Sequence, residues 1–123
     1  MPKLRHQGVK RRIWWADGPD GRYPGEEYWN VLETAPKAKL EALWKQLAER
    51  GYIYNERKFA NEGDGIWAFK TYSPGHRLMC FFEGDDYFIC GGYPKKGQEM
   101  PRRQKDRALR MKAFYYERKE QPQ

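Results

Sequence analysis

A strand, two helices, three strands and a closing helix, in that order, predict an α+β fold. In it, an N-terminal strand and a helical hairpin pack on a small antiparallel sheet, and a C-terminal helix completes the layers. Three observations carry this. Apolar residues follow a helical period between Gly25 and Leu47, the period becomes that of strands from Ile66, and Pro101 opens a new helical stretch. The 123 residues suit one domain over 1-123, with a basic N-terminal extension over 1-22.

Val9–Ala16 reads as the first strand, with Ile13, Trp14 and Trp15 in a basic setting, and the cluster from Asp17 to Gly21 is a turn. From Gly25, Tyr28, Trp29, Val31 and Leu32 form an apolar side over two turns. Thr34-Ala35-Pro36 interrupts it, and Pro36 suits the first turn of a second helix. There Leu40, Leu43, Trp44 and Leu47 stand at i, i+3, i+4 and i+7, one complete stripe, and Gly51 follows as the residue that ends the helix. So short a break makes the two helices a hairpin. Ile66–Tyr72, Arg77–Glu83 and Asp86–Tyr93 read as consecutive antiparallel strands joined at Ser73-Pro74-Gly75 and Gly84-Asp85. Tyr87-Phe88-Ile89-Cys90 is apolar on both faces, which places that strand centrally. After a loop over 94–100, Pro101 opens a helix to about Lys119, with Ala108, Met111 and Tyr115 on one face, and 120–123 reads as a frayed tail.

Composition narrows the class. Aromatic residues make up 16% of the chain, more than a disordered chain carries, and two cysteines are too few for a disulfide scaffold. The longest uncharged, mostly apolar run, Tyr87–Pro94, falls far below the ~18 residues of a membrane span. No apolar signal core follows the basic N-terminus, so the expectation is a cytoplasmic protein with no membrane partner. The formal charge of +7 points to a polyanionic partner. It is uneven: residues 1–60 hold 12 basic and 8 acidic groups, 61–94 hold 2 and 5, and 95–123 hold 10 and 4.

The two bases of the middle block, Lys70 and Arg77, are the informative ones, because a charge among apolar neighbours is costly unless something uses it. They flank the Ser73-Pro74-Gly75 turn and so face each other across a hairpin. Lys95 and Lys96 leave the adjacent strand at the same edge, His76 lies beside them, and Trp67, Tyr72 and Tyr93 form the rim. RNA cleavage by the neighbouring 2′-hydroxyl requires such a set: cations for the pentavalent phosphorane, a base, an acid, and aromatic faces for bases. A lysine among cations suits the base. The alternatives are a solvated basic face that only binds nucleic acid, or two exposed cations paired with carboxylates such as Glu83. No CxxC, HExxH or phosphate-binding glycine motif is present, which leaves no expected metal or small-molecule cofactor, and Cys80 and Cys90 read as buried free thiols on neighbouring strands.

Ile66-Trp67-Ala68-Phe69-Lys70, His76-Arg77-Leu78-Met79, and Cys90-Gly91-Gly92-Tyr93-Pro94-Lys95-Lys96-Gly97-Gln98, followed by Pro101 and Ala108, resemble the HigB-like, phage-associated branch of the RelE/ParE toxin superfamily. With the helical hairpin, Gly51 and Lys58-Phe59 upstream, the resemblance covers roughly residues 25–116. It implies the toxin of a type II toxin–antitoxin system: a ribosome-dependent mRNA endonuclease that inhibits translation, neutralised by an antitoxin, often of helix-turn-helix type. It implies that Lys70, Arg77, Lys95 and Lys96 are catalytic, the last two also binding RNA with Tyr93. Arg102 and Arg103 would hold the RNA backbone. Tyr115 or Tyr116 stands where some members place an aromatic acid or base. Two positions depart from the family pattern: Ala68 replaces the usual Glu, and Gly91 replaces a His, for which His76 is the candidate substitute. The same fold also serves gyrase-poisoning toxins of the ParE kind, and non-catalytic binders of nucleic acid.

Overall fold

The computed structural model describes residues 1–121. Pro122 and Gln123, half of the expected frayed tail, lie outside the described residues. Nine elements follow in chain order: β1 (Lys3–Gln7), β2 (Arg12–Trp15), α1 (Pro24–Asn30), α2 (Thr34–Arg50), β3 (Phe59–Asn61), β4 (Trp67–Thr71), β5 (His76–Glu83), β6 (Asp86–Pro94) and α3 (Arg102–Glu120). They form the expected α+β architecture. The sheet is larger than expected: six strands in the order β1-β2-β6-β5-β4-β3, with β2 parallel to β6 and every other pair antiparallel.

The three expected consecutive strands stand in the expected register, and β6, flanked by β2 and β5, is central. The N-terminal segment differs from the single strand expected over Val9–Ala16. It is a hairpin, because the backbone N–H groups of Lys10 and Arg11 turn to the carbonyl of Ala48, near the end of α2. The Lys-Leu-Arg-His-Gln of β1 is an edge strand dominated by polar side chains, without an apolar alternation that would reveal it. β3 has three residues, too few for a period.

The sheet separates two apolar layers. On one face Leu40, Leu43, Trp44 and Leu47 of α2 pack against Ile13, Trp15, Phe69, Leu78, Cys80 and Ile89. Trp15, Trp29 and Trp44 meet there with ring centroids 5.3–6.0 Å apart. α2 ends at Gly51, whose φ of 88° only glycine adopts without strain. On the other face Ala108 and Met111 of α3 pack against Ile66, Met79, Phe81, Phe88 and Cys90. A bulge in β6 sets Met79 opposite Gly91 and Cys80 opposite Ile89, leaving Cys90 as the extra residue and bending the strand beside the candidate site.

Candidate functional site

Register decides which side chains share a face. Lys70 on β4, Arg77 on β5 and Tyr93 on β6 are directly paired in a row across three strands. Arg77 alternates with Leu78 and shares a face with Met79 and Phe81, so all three point to the α3 side. Lys95 is brought in beyond β6 by its backbone N–H donating to the carbonyl of Gly75 at 3.1 Å.

Within this row the side-chain ends diverge. Arg77, only 4% exposed, donates from Nη1 to the carbonyls of Thr71 (3.0 Å) and His76 (2.9 Å) and lies 5.1 Å from the ring centre of Tyr72. Lys95 Nζ lies 5.4 Å from the same ring and the Arg57 guanidinium 5.2 Å, so three cations surround one aromatic ring. The Tyr72 hydroxyl donates to the carbonyl of Arg57 at 2.7 Å and fixes the ring. Among the described residues none of these three cations makes an ion pair.

Lys70 instead extends along β4 to the Glu62 carboxylate, 3.0 Å away, with both side chains about four-fifths buried. The small Ala60–Ala68 pair lies beneath them in the register. Thus the expected carboxylate partner is Glu62 rather than Glu83. Glu83 is six residues from Arg77, roughly 20 Å along β5, and is engaged with Lys119 and Tyr115. Lys105 of α3 donates to the Glu62 carbonyl and pairs with Asp64 at 3.6 Å, tying the β3–β4 connection to the helix beside the site. Burial pushes the Tyr93 phenol up, Glu62 adds to the shift and Arg77 opposes it, so Tyr93 keeps its proton between these two groups.

Other expected site residues lie elsewhere. His76 follows the alternation to the opposite face, where the Tyr28 hydroxyl of α1 is 2.6 Å from its Nδ1. Burial raises Tyr28 to about 12, while burial and then Arg77 lower His76, so the phenol donates and the imidazole is neutral. Tyr115 packs on Phe88 at 4.5 Å and Phe81 at 5.6 Å, and its hydroxyl donates to Glu83 at 3.2 Å, at the far end of the sheet from Arg77. Tyr116 stacks edge-on against it. Lys96 is exposed in the loop after β6, Arg103 is exposed in the first turn of α3, and Arg102 pairs with Asp106 one turn along. Cys80 and Cys90 are free and buried, and burial pushes both thiols up. Arg57 and Glu62 were absent from the sequence expectation. Arg57 sits in an irregular stretch before β3, and Glu62 reaches the site only through the β3–β4 hairpin, which no periodicity announces.

The row and its neighbours therefore offer one buried and two unpaired cations around an aromatic ring, a carboxylate oriented by a lysine, and a protonated phenol. That set suits a phosphodiester and the charge that develops on it during transesterification. A family model described as "Phage derived protein Gp49-like (DUF891)" matches residues 27–113, which contain every member of the row. No curated protein matches the chain.

Proposed function

The chain belongs to the Gp49-like family of phage-derived proteins, and from that premise we propose that it is the toxin of a toxin–antitoxin pair and cleaves mRNA on the ribosome. The observation that carries the reading is the convergence of Arg57, Arg77 and Lys95 on Tyr72 beside the Lys70–Glu62 pair.

In this reading the RNA strand lies across the α3 side of β4–β6. The 2′-hydroxyl attacks the adjacent phosphorus; the bond to O2′ forms, the bond to the leaving O5′ breaks, and a 2′,3′-cyclic phosphate remains. Arg77 and Lys95 stabilise the phosphorane, with Lys96 at the mouth of the site. Lys70 is engaged with a carboxylate and acts as an orienting cation, so the proton acceptor of that pair is Glu62. Lys95, the half-exposed member, delivers the proton to O5′. Tyr72 offers aromatic surface, whereas Tyr93 is buried in the α3-side core, and Arg102 and Arg103 hold the backbone further along. The partner antitoxin would be an acidic or helix-turn-helix protein that covers this cluster.

Induced expression in cells tests the reading. An interferase stops translation first, and primer extension maps cuts within translated messages; substitution of Lys95 by Ala removes both. DNA-damage signalling with intact messages would instead mark a gyrase poison and overturn it.

A further inference from the structure

Between the β6 bulge and the cationic row, a cavity of about 770 Å³ opens between α1 and α3. That lies within the roughly 300–1,000 Å³ typical of small-molecule sites. Gly91 and Gly92 line it without side chains, and a Cβ at Gly92 would collide with the ring of Tyr28. Met79 and Met111 supply adaptable apolar walls. From α3, Gln104, Arg107 and Arg110 line it at intervals of three, one helical stripe.

Two kinds of group beside this cavity lack partners among the described residues. Oε1 of Gln104 is buried with no hydrogen-bond partner. That oxygen is turned away from the open space, and swinging the carboxamide toward the cavity gives up no hydrogen bond of the oxygen, so the residue can meet a base with donor or acceptor. Arg107 and Arg110 are exposed and, among the described residues, make no ion pair. The acids in the lining are occupied: Glu27 holds the Arg22 guanidinium, and Asp20 accepts from the Arg22 backbone. An apolar slot with one unmatched amide and two free guanidiniums at its mouth fits a nucleotide, with the base inside and the phosphate on the arginines.

We propose that this cavity binds one nucleotide of the RNA and that Gln104 reads its base, making it a specificity pocket separate from the cleavage cluster. The inference rests on the RNA reading above. Gly92 adjoins Tyr93 on β6 and stands three residues before Lys95, roughly 10 Å at the rise of a strand, so a strand held at the cluster reaches the cavity with an adjoining nucleotide.

The test is a titration of the full chain, carrying 13C-methyl methionine, with 5′-AMP, GMP, CMP and UMP, and with inorganic phosphate. The expected result is saturable shifts of the Met79 and Met111 methyl signals with the nucleotides and none with phosphate alone, with affinities that differ several-fold among the bases. Arg107→Ala with Arg110→Ala weakens binding about tenfold, and Gln104→Ala narrows the spread among bases. Methyl signals that stay still with all four nucleotides, or that answer phosphate equally, would overturn the proposal. So would an unchanged spread in Gln104→Ala. Because the readout is binding, failure here leaves the cleavage reading standing. Shifts that persist in a protein that cuts no mRNA would instead overturn cleavage alone.

Discussion

The two ends of β5 carry similar charged residues and treat them in opposite ways. Around Glu83, each basic side chain meets a carboxylate: Lys119 pairs with Glu83, Arg11 with Asp85 and Arg12 with Asp86. Around Arg77, the cations Arg57, Arg77 and Lys95 converge on the ring of Tyr72, and the nearby carboxylate Glu62 is held by Lys70. Excess charge in a sequence therefore does not locate a polyanion site. The acidic middle segment neutralises part of the basic arms in space, and three of the cations left without a carboxylate gather at the candidate site.

The largest effect should come from Arg77→Ala. It removes a cation from the cluster and leaves the carbonyls of Thr71 and His76 without their donor. The expected outcome is loss of mRNA cleavage by about 100-fold or more, with about 1–3 kcal/mol lost in denaturant unfolding because buried acceptors become unsatisfied. Glu62→Gln and Lys70→Ala follow, each lowering the cleavage rate by roughly 100-fold, and the double variant should fall no further than either single one if the pair works as a unit.

A smaller effect distinguishes the neutralised cations. Arg118 holds Asp17, at the end of β2, down to about 2 from an ordinary 3.8. A depressed carboxylate stabilises the fold above its unfolded value, and that contribution fades as pH falls from about 4 toward 2. Asp17→Asn should flatten this part of the stability profile and leave cleavage at neutral pH intact. Smallest of all, Lys119→Ala breaks an exposed pair with Glu83 and should shift stability by less than about 1 kcal/mol without touching cleavage.

The helices and the three consecutive strands were legible because apolar periodicity and turn residues act locally. Leu40, Leu43, Trp44 and Leu47 lie on one stripe, and Gly51 ends it. The Lys70–Arg77 pairing was also legible, since a hairpin fixes its own register. What escaped depends on contacts distant in sequence. β1 has no apolar alternation, Glu62 reaches Lys70 through a three-residue strand, and β2 joins β6 in parallel across more than 70 residues. Faces were the subtler loss. His76 adjoins Arg77 in the chain, yet strand alternation sends it to Tyr28 on the other side of the sheet. Tyr115 shares its helix with the arginines of the cavity but is bound to the Glu83 end.

Lys95 is partly exposed, and among the described residues its side chain makes no hydrogen bond or ion pair, so its removal tests the chemistry without disturbing the fold. Purified wild-type protein and Lys95→Ala should be compared on mRNA in programmed ribosomes, with the cut ends analysed for 2′,3′-cyclic phosphate. The expected result is cleavage by the wild type, a loss of about 100-fold in the variant, and the same thermal unfolding midpoint for both. Equal cleavage by the two proteins, or a wild type that leaves ribosome-bound mRNA uncut, would contradict the assignment of the free cations around Tyr72 to RNA chemistry.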